Sequence, residues 1–162
     1  MFCEHCGDTN GEETGIDHDE RDCPWDAVDG TPIEIAPEDL AEIAQARAEG
    51  SPAQSAAVHL LVQHGHWIAR LAERPGLLLI GYDEGKPEPY GIDWPMVAAL
   101  LAAKGLVGSS GELGILAIAA SLADSTVPVR LGDAVSSLDA SNLDLVLKAI
   151  AQANGRTHPA TS

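Results

Sequence analysis

Apolar side chains recur at helical spacing through most of residues 37–154, and proline, glycine and capping residues interrupt them at intervals. Pro37 opens the first predicted helix, with Glu38 and Asp39 at its positive end. Leu40, Ile43, Ala44 and Arg47 keep the spacing, and Gly50 ends it. Ser51-Pro52-Ala53-Gln54 has the form of a capping box and starts a helix predicted over 52–73. Val58, Leu61, Val62 and Ile68 would form its apolar stripe, with Gly65 a weak point inside it. The run at 77–82 has strand character and 83–87 reads as a turn. Tyr90-Gly91-Ile92 can return as a second strand, giving one short hairpin that needs a helix to cover it. Asp93 is placed to cap a helix with Met96, Val97, Leu100 and Leu101 on its buried face and Gly105 at its end. Ser109-Ser110-Gly111-Glu112 is a second capping box. The helix after it, through Leu113, Leu116, Ile118, Ala120 and Leu122, is apolar on most sides and so expected at the centre. A short helix at 131–138 follows. Asp139 then caps a last one whose face is Leu143, Val146, Leu147 and Ile150, closed by Asn154-Gly155.

These elements predict a mainly α fold, α+β at most, of five to six helices and one hairpin. A length of 162 residues suits a single core, and with 4% aromatics that core must be built from Ala, Leu, Ile and Val. Charge divides the chain. The net charge is -16, and residues 1–30 hold ten acidic and one basic side chain, whereas the last two-thirds is nearly neutral. The expected organisation is an acidic module at 1–30, a helical body at 31–155 with its hairpin near 77–92, and a tail at 156–162. Such acidity excludes non-specific binding to nucleic acid or to an anionic membrane, both of which require a basic surface. The opening residues lack the basic and apolar runs of a secretory leader, and the expected compartment is the cytoplasm.

All three cysteines fall within the first 23 residues. Cys3, Cys6, His18 and Cys23 give C-x2-C-x11-H-x4-C, a Cys3His set that zinc accepts in tetrahedral geometry. His5 competes as a ligand but is wedged between two ligand cysteines. Three thiolates and a neutral imidazole fill every position on the metal, so the expected Zn2+ is structural, not hydrolytic. Residues 1–30 need such help, because Phe2, Ile16, Trp25 and Val28 are too few large apolar groups to order the segment. Zinc can supply on the order of 10 kcal/mol of folding free energy. The alternating acids from Asp17 fail as an EF-hand, since Asp22 and Val28 stand where Gly and Glu are required.

Catalytic signatures are scarce. Gly108-Ser109-Ser110-Gly111 is followed by Glu112 and not by the Lys of a phosphate-binding loop, and GxGxxG, GxSxG and HExxH do not occur. His59, His64 and His66 lie on the predicted second helix, with His59 and His66 on one face. An enzymatic reading would use these histidines with a nearby acid such as Glu73.

Two resemblances add to this. The Cys3–Gly7 and His18–Cys23 segments resemble the halves of a CCHC-type zinc knuckle, with a spacer longer than the retroviral type. Ile92-Asp93-Trp94, Ser110-Gly111-Glu112, Ala119-Ala120-Ser121-Leu122-Ala123, Leu131 with Asp133-Ala134, Leu138-Asp139 and Asn142 together resemble small proteins of high-GC bacteria and their phages, over roughly residues 92–155. That second resemblance implies a bacterial or phage origin and carries no catalytic residue. The expected function is therefore non-enzymatic. The chain would be a zinc-stabilised interaction or regulatory protein whose acidic module meets the basic surface of another protein, without direct contact to nucleic acid or membrane. An acidic mimic of DNA that inhibits a nucleic-acid enzyme, and a virion or assembly component, are the alternatives.

Overall fold

The computed structural model describes residues 33–156. Seven helices and one hairpin occur among them, so the fold is mainly α. Helix α1 (Pro37–Arg47) begins on a proline with two acids in its first turn. Ser51 then accepts from the Gln54 amide at 3.3 Å and starts α2 (Pro52–His64). The long helix expected over 52–73 is two helices. Gly65 adopts φ +78°, a left-handed conformation that ends α2, and the chain restarts as α3 (Trp67–Ala72). The break changes direction, so His59 and His66 do not share a helical face.

A single 3-10 turn at Pro75–Leu77 leads into β1 (Leu78–Asp83), which pairs antiparallel with β2 (Lys86–Ile92). Their two-residue loop, Glu84-Gly85, has positive φ at both positions, as a type I′ turn demands. A bulge opposite Leu79/Ile80 shifts the register. Strand β2 packs on α1, where the Arg47 guanidinium lies 4.7 Å from the centre of the Tyr90 ring.

Asp93 accepts from the Met96 amide at 3.0 Å and caps α4 (Trp94–Ala102). The left-handed residue beyond that helix is Lys104 (φ +56°), not the expected Gly105. Helix α4 contacts mainly α5 and the Pro75–Leu77 turn, which cover only a narrow arc of it. Val97 is fully buried, whereas Met96, expected inside, is 39% exposed. The full capping box of Ser109 and Glu112 starts α5 (Ser110–Ala123). This helix meets α2, α4, α6 (Leu131–Ser136) and α7 (Ala140–Ala153), so it occupies the centre, as its all-round apolarity implied.

The core is the packing of α2 against α5 and α7. Ala56, Ala57, Val58, Leu60 and Leu61 of α2 and Ile115, Leu116, Ile118, Ala119 and Ala120 of α5 are all buried. Alanines on both helices permit close approach of the backbones, which is how a core with few aromatic rings reaches native density. Asp139 accepts from the Asn142 amide at 2.8 Å and caps α7. That helix does not bury the face its sequence suggests. Val146 and Ala149 are inside, but Leu143, Leu147 and Ile150 stand outside. No helix among the described residues is long and apolar enough to cross a membrane.

Helix α6 sits on the first turns of α5. A Cβ at Gly114 would lie 2.8 Å from the Ala134 carbonyl oxygen, a backbone atom that cannot turn aside. The Ser137 hydroxyl completes the joint by donating to Ser110 and Ala134 carbonyls at 3.0 and 3.1 Å. Gly114→Ala should therefore lower stability by about 1–3 kcal/mol through forced separation of α6 from α5. Urea denaturation is the check. Gly132→Ala, where a Cβ meets nothing within 4 Å, should cost less and serves as the control.

Candidate functional site

The polar side chains that come together do so where α2 breaks. Gly65 separates His64, the last residue of α2, from His66, which precedes α3. Trp67 follows and is 1% exposed. An indole N–H taken out of water needs an acceptor, and the Glu112 carbonyl supplies it at 2.7 Å. That bond carries the first turn of α5 to the α2–α3 junction. Glu112 accordingly works three times. Its amide donates to the Ser109 hydroxyl at 3.2 Å, its carboxylate Oε2 accepts from the Ser109 amide at 2.7 Å, and its carbonyl holds Trp67. The second carboxylate oxygen, Oε1, faces His66 Nδ1 at 3.6 Å.

Arg70, one turn along α3, approaches the same imidazole from the other side. Its Nη1 donates to His66 Nε2 at 3.4 Å and to the Val107 carbonyl, while its Cζ stands 5.5 Å from the centre of the Trp67 ring. A guanidinium can only donate, so His66 Nε2 is the acceptor and the ring proton belongs on Nδ1, toward Glu112. The His64 and His66 rings meet edge to face with centroids 6.1 Å apart. His64 Nδ1 is buried with no hydrogen-bond partner among the described residues.

Electrostatics follow from this layout. Burial first, and then the neighbouring His66, pushes the His64 imidazole below its ordinary value, against the opposing pull of Glu112 and Asp139. The Glu112 carboxyl is held below the usual carboxylate value, chiefly by the Ser109 backbone N–H, against a smaller opposing effect of burial; His66, the Ser109 hydroxyl and His64 add to the lowering.

Chemically, the cluster joins elements. Both ring nitrogens of His66 face groups of the protein itself, and neither of the two clefts described next is lined by His64, His66 or Glu112. One cleft, of about 180 Å³, lies between the ends of α1 and the hairpin and is walled by Arg47, Gln54, Asp93 and Trp94. The other is a groove of about 670 Å³ between the loop after α4, helix α5 and helix α6.

The residues singled out in the sequence distribute as follows. His64 and His66 converge. His59 lies elsewhere, where its Nδ1 meets the Gln152 amide nitrogen at 2.7 Å across the α2–α7 contact. Glu73 stands at the C-cap of α3 and takes no part in the cluster; the acid beside His66 is Glu112. Cys3, Cys6, His18 and Cys23 lie outside the described residues, and among the described residues no group of three or more His, Cys, Asp or Glu is placed to hold a metal ion. Sequence reasoning passed over Arg70, although its position four residues after His66 on one helix was a usable signal. Comparison with family models, with curated proteins and with solved structures gives no match for this chain.

The two shifted groups of this cluster make a pH prediction, and Asp124, whose carboxyl is held low by hydrogen bonds from the Thr126 side chain and backbone, adds to the acid end of it. The folded-state value of His64 lies below 6.5, so acid protonates the unfolded chain first. Its contribution is complete above pH 6.5 and is lost as pH falls through the lower folded value. Glu112 likewise contributes fully above 4.5 and loses that contribution as pH falls through its depressed value. Urea midpoints measured from pH 8 to pH 3 should fall in two windows. His64→Gln should flatten the first, and Glu112→Gln should reduce the second, to which Asp124 also contributes.

Proposed function

We propose that this protein acts by binding another protein with a basic surface and not by catalysis. The observation that carries the reading is the outer face of α7. Leu143, Leu147 and Ile150, spaced i, i+4 and i+7, are 39%, 48% and 42% exposed, an aliphatic stripe along a helix whose inner side is already packed. Covering three such half-exposed side chains would gain about 2–4 kcal/mol. Association itself costs at least about 4 kcal/mol, so the stripe alone does not hold a partner. The acidic residues 1–30 supply the complement: ten negative charges and one positive one attract a basic surface at long range and favour encounter. The resemblance of residues 92–155 to small proteins of bacteria and their phages fits a cytoplasmic regulator in such a cell.

In this reading, structural Zn2+ on Cys3, Cys6, His18 and Cys23 orders the acidic segment so that its charges are presented together. Elemental analysis of protein purified without added zinc should give one zinc per chain, lost in Cys23→Ser.

The functional test compares three forms of the tagged protein in pull-downs from a bacterial host. These are the natural sequence, Leu143→Ser with Leu147→Ser, and a variant with Glu12→Gln, Glu13→Gln, Asp26→Asn and Asp29→Asn. The expected result is a basic partner captured by the first, reduced with both variants, and released at roughly 0.5 M salt, where charge attraction reaches only a few ångströms. Capture of no basic partner, together with measurable turnover of a substrate, would replace this reading with an enzymatic one.

A further inference from the structure

The hairpin has two edges, and the sequence treats them differently. Next to the two-residue loop Glu84-Gly85, the flanking pair Asp83–Lys86 exchanges both backbone hydrogen bonds, and bonded and non-bonded pairs alternate from there. Gly81–Glu88 is therefore the next bonded pair. Tyr82–Pro87 and Ile80–Pro89 are the non-bonded ones, so their backbone nitrogens and carbonyls point away from the paired strand. On β2 both such positions are proline, which has no N–H to offer, and α1 packs on this strand. That edge is closed. On β1 the same positions are Ile80 and Tyr82. Their N–H and C=O groups face outward, and no described element beyond β2 pairs with the strand or bonds to them. Tyr82 is also 62% exposed. An unpaired strand edge of this kind is a template for another strand.

We propose that the open edge of β1 pairs with β1 of a second copy of this chain, antiparallel, across a two-fold axis at Gly81. An antiparallel edge is its own complement under such an axis. With the axis at Gly81, Ile80 of each copy lies opposite Tyr82 of the other. Each of these pairs exchanges both N–H···O=C bonds, so the outward groups of both residues are satisfied. The side chains agree, since a half-buried Ile80 beside an exposed Tyr82 makes an aliphatic–aromatic cross-strand pair. Gly81 brings no side chain to the axis, and a Cβ there would lie 3.3 Å from the Tyr90 ring of its own chain. The charges agree as well. Asp83 falls opposite Leu79 of the other copy, and the acidic turns at Asp83-Glu84 lie at opposite ends of the paired strands. An axis at Tyr82 would bring those turns together and force Glu84, left-handed at φ +48°, into the ladder. An axis at Ile80 would need the backbone of Leu78, which is only 5% exposed. Proline on each outer edge stops the joined sheet at one pair of copies. A strand edge buries less than the roughly 1,600 Å² of a standard interface, so the dimer is weak and concentration-dependent. It uses neither α7 nor residues 1–30 and does not depend on the partner reading above.

The test is sedimentation of the purified full chain from about 1 μM to about 1 mM, kept reduced so that no cysteine joins two copies. A reversible equilibrium between monomer and dimer is expected. Tyr82→Pro gives β1 the device that β2 already carries: it removes the outward N–H and spares the bonds to β2. It should raise the dissociation constant at least about tenfold. Amide hydrogen exchange of the natural sequence, followed by NMR in dilute and concentrated samples, is the second readout and does not depend on how the hairpin tolerates proline. The Ile80 and Tyr82 amides should slow by at least about tenfold on concentration, while the Gly81 amide, already bonded to β2, changes little. A chain that stays monomeric throughout would overturn the proposal. So would a dimer that Tyr82→Pro leaves intact, or one in which the Ile80 and Tyr82 amides exchange as fast as in the dilute sample. Either of these last results assigns association to another face, and Leu147→Ser then tests the stripe on α7. Because the sample contains no other protein, failure of the partner reading affects none of these outcomes.

Discussion

Burying the Trp67 ring obliges its N–H to find an acceptor, and the Glu112 carbonyl, 2.7 Å away, is the one this fold supplies. Much else follows from that bond. It fixes α3 against the first turn of α5, so the kink at Gly65 has a defined direction. It brings His66 to the Glu112 carboxylate and Arg70 to the loop at Val107. That loop in turn walls the groove against which α6 is seated. A single buried indole therefore links the helical break, the polar cluster and the larger cleft.

The helix starts were legible because each is a local matter. Ser51, Asp93, Ser109 and Asp139 all accept from the amide three residues on, as the sequence implied, and a cap needs nothing beyond its own turn. The centrality of α5 was legible for a similar reason, since a helix apolar all round has no side to offer to water. The outward stripe of α7 was not legible. Periodicity states that Leu143, Leu147 and Ile150 share a face, but not whether the fold brings a neighbour to it. The inner contact uses Val146 and Ala149 on the adjacent arc.

The polar cluster shows the same limit from the other direction. His64 and His66 were visible as candidates, and Glu112 was visible as a capping residue. That one side chain serves both depends on a crossing of α3 and α5 that joins residues 45 apart, from Trp67 to Glu112. Proximity in sequence pointed to Glu73 instead. The break at Gly65 was half legible: glycine inside a helical pattern signals weakness, and only its left-handed backbone in the folded chain turns weakness into a change of direction.

The contact between α2 and α7 sets a timetable for synthesis. His59 and Gln152, which meet across it, are separated by 93 residues. At about 5–20 residues per second, a ribosome needs on the order of 5–20 s to make the second after the first. Throughout that interval the inner face of α2 waits without its cover. The buried side of α2 holds Leu60 and Leu61 as well as Ala56, Ala57 and Val58, so an apolar surface stays uncovered on the nascent chain until α7 has been made.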